Sequence, residues 1–297
     1  MEHAIWSQGL TRRFGKTKVV ADLDLRVREG CITAFLGPNG AGKTTTISLL
    51  LGLLKAQAGT CEVLGLPPGH AEALAQIGAL VESPSLYDHL TGQENLEITR
   101  LMRGALPSDG DRVLKLVDLA RDARRPVREY SLGMRQRLGM ALALLGEPRL
   151  LILDEPTNGL DPSGIQDMRE LIRNLPKEAG TTVFLSSHLL AEVEQVAEDL
   201  VIIHKGRLRY QGPTTSLGSL DEAELTVRVG DTNRALESLR ELGFPIREAE
   251  GRLWIQAPAD EAPCIAAALV KQGCALYELV PHKVNLEARF LALLEEA

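Results

Sequence analysis

The chain has 297 residues, 44% of them hydrophobic and 25% charged, close to the soluble globular average, which excludes collagen, low-complexity disorder and a disulfide miniprotein. Its formal charge is −7, and the imbalance is local: from Leu220 onward eight basic and fourteen acidic residues give −6, leaving −1 for everything before. With no long basic block the chain is a poor non-specific binder of nucleic-acid phosphate, and the acidic end reads as solvated surface.

No run approaches the roughly 18 consecutive apolar residues that a membrane helix needs. The opening MEHAIWSQGL has no basic region followed by an apolar one, so no signal peptide is expected and any passage through a membrane would need another polypeptide. Cys31, Cys61, Cys264 and Cys274 form no CxxC pair and have no histidine beside them at metal-ligand spacing, so they read as reduced thiols packed as small hydrophobes.

In chain order, the apolar run Cys31–Leu36 predicts a short buried strand, and Thr44–Leu54 a helix. Gln93–Arg103 and Arg112–Leu119 have helical periodicity and look like an inserted helical subdomain. Leu150–Leu153, Thr181–Ser186 and Val201–His204 predict three further strands, with a helical stretch starting near His188. Short buried strands alternating with helices argue for an α/β domain around a largely parallel sheet. Gly206–Leu220, rich in Gly, Pro, Ser and Thr, reads as a linker. After it, Leu225–Val229, Asn233–Leu242, Ile246–Glu248, Leu253–Gln256, Glu261–Lys271 and Ala275–Val280 run β-α-β-β-α-β. That order predicts a small ferredoxin-like unit with a terminal helix near Leu286–Leu294. Trp254 and the two cysteines in this unit read as core or surface rather than as ligands.

Gly37-Pro38-Asn39-Gly40-Ala41-Gly42-Lys43-Thr44 fits G-x-x-x-x-G-K-[ST]. Glycines let backbone N–H groups turn inward and approach an anion closely, and a helix opening near Lys43 aims its positive end at phosphates. A chance glycine-rich turn is the alternative, but the match follows an apolar strand and opens a helix, as that chemistry requires. Lys43 is the expected partner of the β- and γ-phosphates, Thr44 of a Mg²⁺ ion, and Thr45 of a phosphate oxygen. Downstream, the strand Leu150–Leu153 ends in Asp154 and Glu155. Asp154 is expected to complete the Mg²⁺ shell through water, by the usual habit of that ion, and Glu155 to orient and polarise an attacking water. An acidic pair at a strand end is common by itself; the phosphate loop upstream gives this one its meaning.

These residues carry a resemblance to the nucleotide-binding subunits of ATP-binding-cassette (ABC) transporters, over roughly residues 1–215. Tyr130-Ser131-Leu132-Gly133-Met134, followed by Arg135-Gln136-Arg137, resembles the family signature LSGGQ-x-Q-R. Asn158-Gly159-Leu160-Asp161 resembles the D-loop, Ser187-His188 the switch histidine, and Phe14 before Gly15-Lys16 the aromatic that stacks on adenine. The resemblance implies a P-loop NTPase core with an N-terminal antiparallel β part and a helical insert at about 85–148. This cassette of residues 1–215 would be followed by a small C-terminal accessory domain over 216–297. It implies ATP and Mg²⁺ as cofactors, and a second copy or a paralogous cassette closing head to tail over two ATP molecules. Ser131 and Gly133 would then meet the γ-phosphate held by the opposite subunit, at the start of a helix expected over Leu132–Leu145. His188 would contact that phosphate and hold the water with Glu155, and Asp161 would couple the two sites. The implied partner is a polytopic membrane permease on a separate chain, met at the cytoplasmic face of the membrane, with no nucleic acid.

Two positions depart from the pattern. Leu132 and Met134 replace a glycine and the final glutamine of the signature, while Ser131 and Gly133, which face the anion, remain. In Ile77-Gly78-Ala79-Leu80-Val81-Glu82-Ser83-Pro84, Glu82 stands where the family usually carries a glutamine that touches Mg²⁺ and water. A carboxylate can still ligate or water-bridge the ion, but it adds charge beside Asp154 and Glu155. Together with Thr157-Asn158-Gly159-Leu160-Asp161-Pro162, these departures resemble the bacitracin- and lantibiotic-resistance exporters. A soluble ABC-type ATPase acting on ribosomes or DNA is the competing expectation. One cassette per chain, no sustained heptads and the acidity weigh against it. A regulatory nucleotide binder without hydrolysis is disfavoured by the presence of Lys43, Asp154, Glu155 and His188.

Overall fold

Two twelve-residue strands, β1 (His3–Phe14) and β2 (Thr17–Arg28), form an antiparallel pair that turns at Gly15-Lys16. On β2 the alternation is plain: Leu23, Leu25 and Val27 are fully buried, whereas Asp24, Arg26 and Arg28 face out, the period-two pattern of a sheet with one wet face. The computed structural model describes residues 3–217, 224–240, 242–249, 251–282 and 286–295. Its contacts divide into two units, Met1–Pro213 and Thr214–Glu296.

The first unit continues with β3 (Ile32–Leu36), α1 (Lys43–Leu50), β4 (Ala58–Val63), α2 (Ala71–Ala75) and β5 (Ile77–Leu80). Next come three helices, α3 (Gly92–Arg103), α4 (Pro107–Leu116) and α5 (Leu132–Leu144), which pack on one another. Then follow β6 (Leu150–Asp154), α6 (Pro162–Ala179), β7 (Thr182–Ser187), α7 (Leu190–Val193), β8 (Asp199–His204) and β9 (Arg207–Pro213). β4 joins β1 on the side away from β2, giving a three-stranded antiparallel sheet. The central sheet has the order β5-β6-β7-β3-β8-β9; all its pairings are parallel except β8–β9. Every residue of β3, β6 and β7 is buried. That explains why they read as unbroken apolar runs rather than alternating ones: both faces of a parallel sheet are covered. Phe35 and Phe184 meet in the core with ring centroids 5.3 Å apart.

Local signals set most boundaries. Thr91 and Glu94 close a reciprocal capping box on α3, and Gly104 ends that helix in the left-handed conformation. Asp161 caps α6 by accepting from the Gly164 amide, and Gly180 ends it. Three expectations are corrected. The helix begun at the phosphate loop ends at Leu50 rather than Leu54: Gly52 has φ 74°, and a Cβ there would lie 2.5 Å from the Gly69 Cα. The helical stretch after His188 shrinks to the single turn α7. Residues 207–213 are no linker but strand β9, paired antiparallel with β8 through a two-residue turn at Lys205-Gly206. Both turn residues have positive φ (49° and 75°), as that tight hairpin demands. The last three residues of the expected linker, 218–220, lie outside the described residues.

The second unit runs β10 (Glu224–Val229), α8 (Thr232–Arg240), β11 (Ile246–Ala249), β12 (Arg252–Gln256), α9 (Ala262–Lys271), β13 (Leu276–His282) and α10 (Leu286–Glu295). Its sheet order, β11-β12-β10-β13, with every neighbour antiparallel, is the ferredoxin-like arrangement. Leu225, Val227, Leu253, Ile255, Ile265 and Leu269 form a separate hydrophobic core there. The expected helix Asn233–Leu242 ends at Arg240, and residue 241 lies outside the described set.

Candidate functional site

The site is assembled by register. Leu36 of β3 pairs with Ser187 of β7, and Asp154 of β6 pairs with Ser186. The three strands therefore end together, and the loops that leave them share one edge of the sheet. The phosphate loop follows β3, Glu155 follows β6 and His188 follows β7. This is where open α/β sheets place their ligands.

The loop's shape is fixed from several sides. The Gly37 amide donates to the Ser187 carbonyl at 3.2 Å, and the Gly206 amide, in the β8–β9 turn, donates to the Ala41 carbonyl at 2.9 Å. Gly42, at φ 108°, leads into α1, and a Cβ there would lie 2.5 Å from the Val19 carbonyl oxygen. The Lys43 ammonium is buried and fully met: it donates to the Gly37 carbonyl at 2.7 Å and the Pro38 carbonyl at 3.4 Å, and stands 3.2 Å from Glu155 Oε1. Burial of a lone cation is costly, and here every side of the ammonium is met by an oxygen.

The acids are held as tightly. The Thr44 hydroxyl donates to Asp154 Oδ2 at 2.7 Å, and the Ser186 hydroxyl donates to Asp154 Oδ1 at 2.5 Å. The Glu155 amide in turn donates to Ser186 Oγ at 3.0 Å. Glu155 Oε2 lies 2.6 Å from His188 Nδ1. One carboxylate thus spans the lysine and the histidine. Glu155 reaches both from a left-handed backbone, φ 51°, which is uncommon for a non-glycine residue and turns the side chain back over the sheet edge.

These groups line an open cleft of about 380 Å³ formed by Val19, Asn39, Gly40, Gly42, Lys43, Thr44, Thr45, Glu155, Asn158 and His188. Asp154 lies just beneath it through its bond to Thr44. Gly37, Pro38 and Ala41 shape the loop from behind. The remaining predicted residues stand outside this lining. Phe14 is half exposed at the tip of the β1–β2 hairpin, under the Arg12 guanidinium at 5.0 Å. Glu82 is exposed, two residues beyond Leu80 just as Glu155 lies two beyond its partner Leu153; both are left-handed, φ 58° and 51°. Its loop therefore leaves the sheet beside that of Glu155. Ser131 caps α5 by accepting from the Met134 amide at 3.2 Å. Gly133 and Leu132 lie on the Gly159-Leu160 turn of the same chain: a Cβ on Gly159 would come 2.9 Å from Leu132 Cδ2. Asp161 is engaged in capping α6. At the head of the signature segment, burial raises the Tyr130 phenol above its ordinary pKa, and its hydroxyl donates to the Asp122 carbonyl at 2.8 Å.

The ABC transporter family profile matches residues 20–158. The bacitracin transport ATP-binding protein BcrA of Bacillus licheniformis is 40% identical over 99% of this chain and 98% of its own length. The chain belongs to the ABC transporter family. It is an ATP-binding subunit of that family and an ATPase. The lantibiotic transport ATP-binding protein SrtF of Streptococcus pyogenes is 40% identical to this ABC ATPase over 72% of the chain and 93% of the relative. A solved structure titled as the ATP-binding subunit of an ABC transporter superposes with TM-score 0.66 at 29% identity, covering 72% of this chain and 91% of that one.

Three contributors to the site of this ABC ATPase escaped sequence reasoning: Val19, Asn158 as a lining residue, and Ser186. The first comes from the distant β2, and only the fold brings it near. Ser186 carried a signal, a hydroxyl following the apolar run Val183–Leu185 that proves fully buried; such a group needs a partner, and Asp154 is it.

Proposed function

We propose that two copies of the chain, or one copy and a paralogue, close head to tail over two Mg-ATP and drive a separate polytopic permease from the cytoplasmic face of the membrane. The direction is export, and the cargo an antibiotic peptide or similar amphiphile. The observation that carries this reading is the convergence of Lys43, Thr44 with Asp154, and Glu155 with His188 on one cleft. The near full-length likeness to a bacitracin transport ATP-binding protein supports the cargo class. No helix among the described residues is long and apolar enough to cross a membrane, so a permease has to supply the path.

On this reading the inward amides of residues 40–45 and the start of α1 bind the phosphates. Lys43 neutralises the β- and γ-phosphates, Glu155 accepts a proton from the attacking water, and His188 fixes Glu155 and the γ-phosphate relative to one another. Phe14 would stack on adenine, with Glu82 near the metal and water. Ser131, Gly133 and Asp161 would serve the partner's site. Thr44 and Asp154 present two hard oxygens 2.7 Å apart beside the phosphate loop. That donor set fits Mg²⁺, which takes one or two protein oxygens and completes its shell with phosphate and water. Among the described residues no group of three His, Cys, Asp or Glu side chains could hold a metal ion, and an ion shared with the nucleotide needs none. When bound, Mg²⁺ would neutralise charge on the phosphates.

The test is Glu155→Gln in the full chain. Hydrolysis is expected to fall about 10²–10⁴-fold, the scale of a lost general base, while Mg-ATP binding persists and the variant collects as a dimer. The variant is then purified with ATP from detergent-solubilised host membranes and its companions identified by mass spectrometry. A polytopic membrane protein in equal or half stoichiometry supports the proposal. Ribosomal or DNA-associated companions, or no membrane partner at all, would overturn it.

A further inference from the structure

The loops that leave β6 and β7 are joined a second time, away from the nucleotide groups. Thr157, two residues after Glu155, donates its hydroxyl hydrogen bond to Glu192 Oε2 at 2.7 Å. Glu192, four residues after His188, sits in α7, and its other oxygen lies 3.8 Å from Arg169 Nη2 on α6. Both partners of that ion pair are largely shielded, at 13% and 20% side-chain exposure for Glu192 and Arg169. Arg169 also donates to Gln195 Oε1 at 2.9 Å, and Arg173 to the Gln195 carbonyl at 2.5 Å.

α7 is a single turn of four residues, too short to hold itself as a helix. Leu190 and Val193 bury its inner face against β3 and β7, and these ties with the Ser187–Leu189 contact fix its outer side. The Thr157–Glu192 bond therefore closes a ring: Glu155 to His188 on the cleft side, Thr157 to Glu192 behind. Asn158, which lines the cleft, follows Thr157 directly. We infer that Glu192, oriented by Arg169 and bonded to Thr157, is a positioning residue that holds the Glu155 and His188 loops in one register for hydrolysis.

This inference rests on the proposed ATPase roles of Glu155 and His188. Thr157→Val removes the hydroxyl at nearly constant volume, Glu192→Ala removes its acceptor, and Thr157→Ser restores the donor. In the purified full chain, Thr157→Val and Glu192→Ala are each expected to lower kcat about tenfold, since small misplacements of reacting groups cost factors of this size. Affinity for a fluorescent ATP analogue and the melting temperature should stay near the parental values. Thr157→Ser should return kcat to within about twofold, and the double variant should lose about tenfold rather than a hundredfold, because both changes break the same Thr157–Glu192 hydrogen bond. Parental kcat in Thr157→Val, a serine variant as impaired as the valine one, or a double loss equal to the product would overturn the inference. So would a fall in nucleotide affinity and melting temperature alongside kcat, which marks a merely structural role. A parental chain that does not hydrolyse ATP overturns the catalytic reading and this one together. An active parent with an unaffected Thr157→Val overturns this one alone.

Discussion

The phosphate-loop motif fixes Gly42 and leaves the position of Gly40 open, and the structure shows why. Gly42 has φ 108°, and a Cβ would press to 2.5 Å from the Val19 carbonyl oxygen; Gly40 has φ 79° with nothing within 4 Å. Both substitutions by alanine strain the backbone, a cost of order 1–3 kcal/mol. Only at Gly42 must β2 or the loop also move. Gly40→Ala is therefore expected to weaken ATP binding by no more than about tenfold, and Gly42→Ala by clearly more. Titration of each variant with a fluorescent nucleotide checks the order, and equal affinities would show that the loop yields without displacing β2.

Among the elements, α5 joins the signature segment to the sheet. It starts at Ser131, and its last carbonyls are gripped from two other helices. Arg112 of α4 donates to the Leu144 carbonyl at 3.1 Å, and Arg103 of α3 donates to the Leu145 carbonyl at 2.6 Å. Arg103 also bonds the Ile77 carbonyl at the start of β5. One guanidinium thus fastens the helical insert to the strand that leads to Glu82. Charged donors to carbonyls are worth about 1.5–3 kcal/mol, so Arg103→Leu should destabilise the first unit by that amount in a denaturant titration. A change under about 0.5 kcal/mol, the range of ordinary surface substitutions, would show the contacts to be incidental.

The element scale is also where sequence reading succeeded and failed for identifiable reasons. β3, β6 and β7 were legible because buried parallel strands are apolar throughout, and their loops carried compact motifs. β9 was not, because Gly212 and Pro213 within it and Gly206 just before it give the segment the composition of a linker, and its pairing with β8 is visible only in space. The Asp154–Ser186 and Thr157–Glu192 bonds join residues 32 and 35 apart in the chain; no local pattern announces them. The ferredoxin-like order was legible from the alternation of its short segments, though nothing in them hinted at a ligand.

At the scale of the molecule, the two units have separate hydrophobic cores, one built on β1, β2, α1 and the central sheet, the other on β10, β12 and α9. Two cores permit two cooperative transitions. Calorimetry of the full chain should resolve two, and Mg-ATP should raise only the one belonging to the first unit, by the mass-action stabilisation RT ln(1 + [L]/Kd). A single transition that moves as a whole would show that the units melt as one.

The contact between Lys43 and Glu155 has a further bearing on how nucleotide enters and leaves. The lysine's counter-ion is supplied from within the chain, 3.2 Å away and partly shielded from water. On the proposed roles of these residues, a phosphate that takes this lysine does not add a new ion pair; it exchanges one anion for another and frees the Glu155 oxygen that faced the lysine, while the other stays at His188. Under that proposal, arrival of substrate and release of the base become the same event, and departure of phosphate is eased because an internal anion stands ready to replace it. The cost is affinity, since each phosphate contact is worth only its advantage over the carboxylate it displaces. The gain is that the base is disengaged only when there is something to hydrolyse.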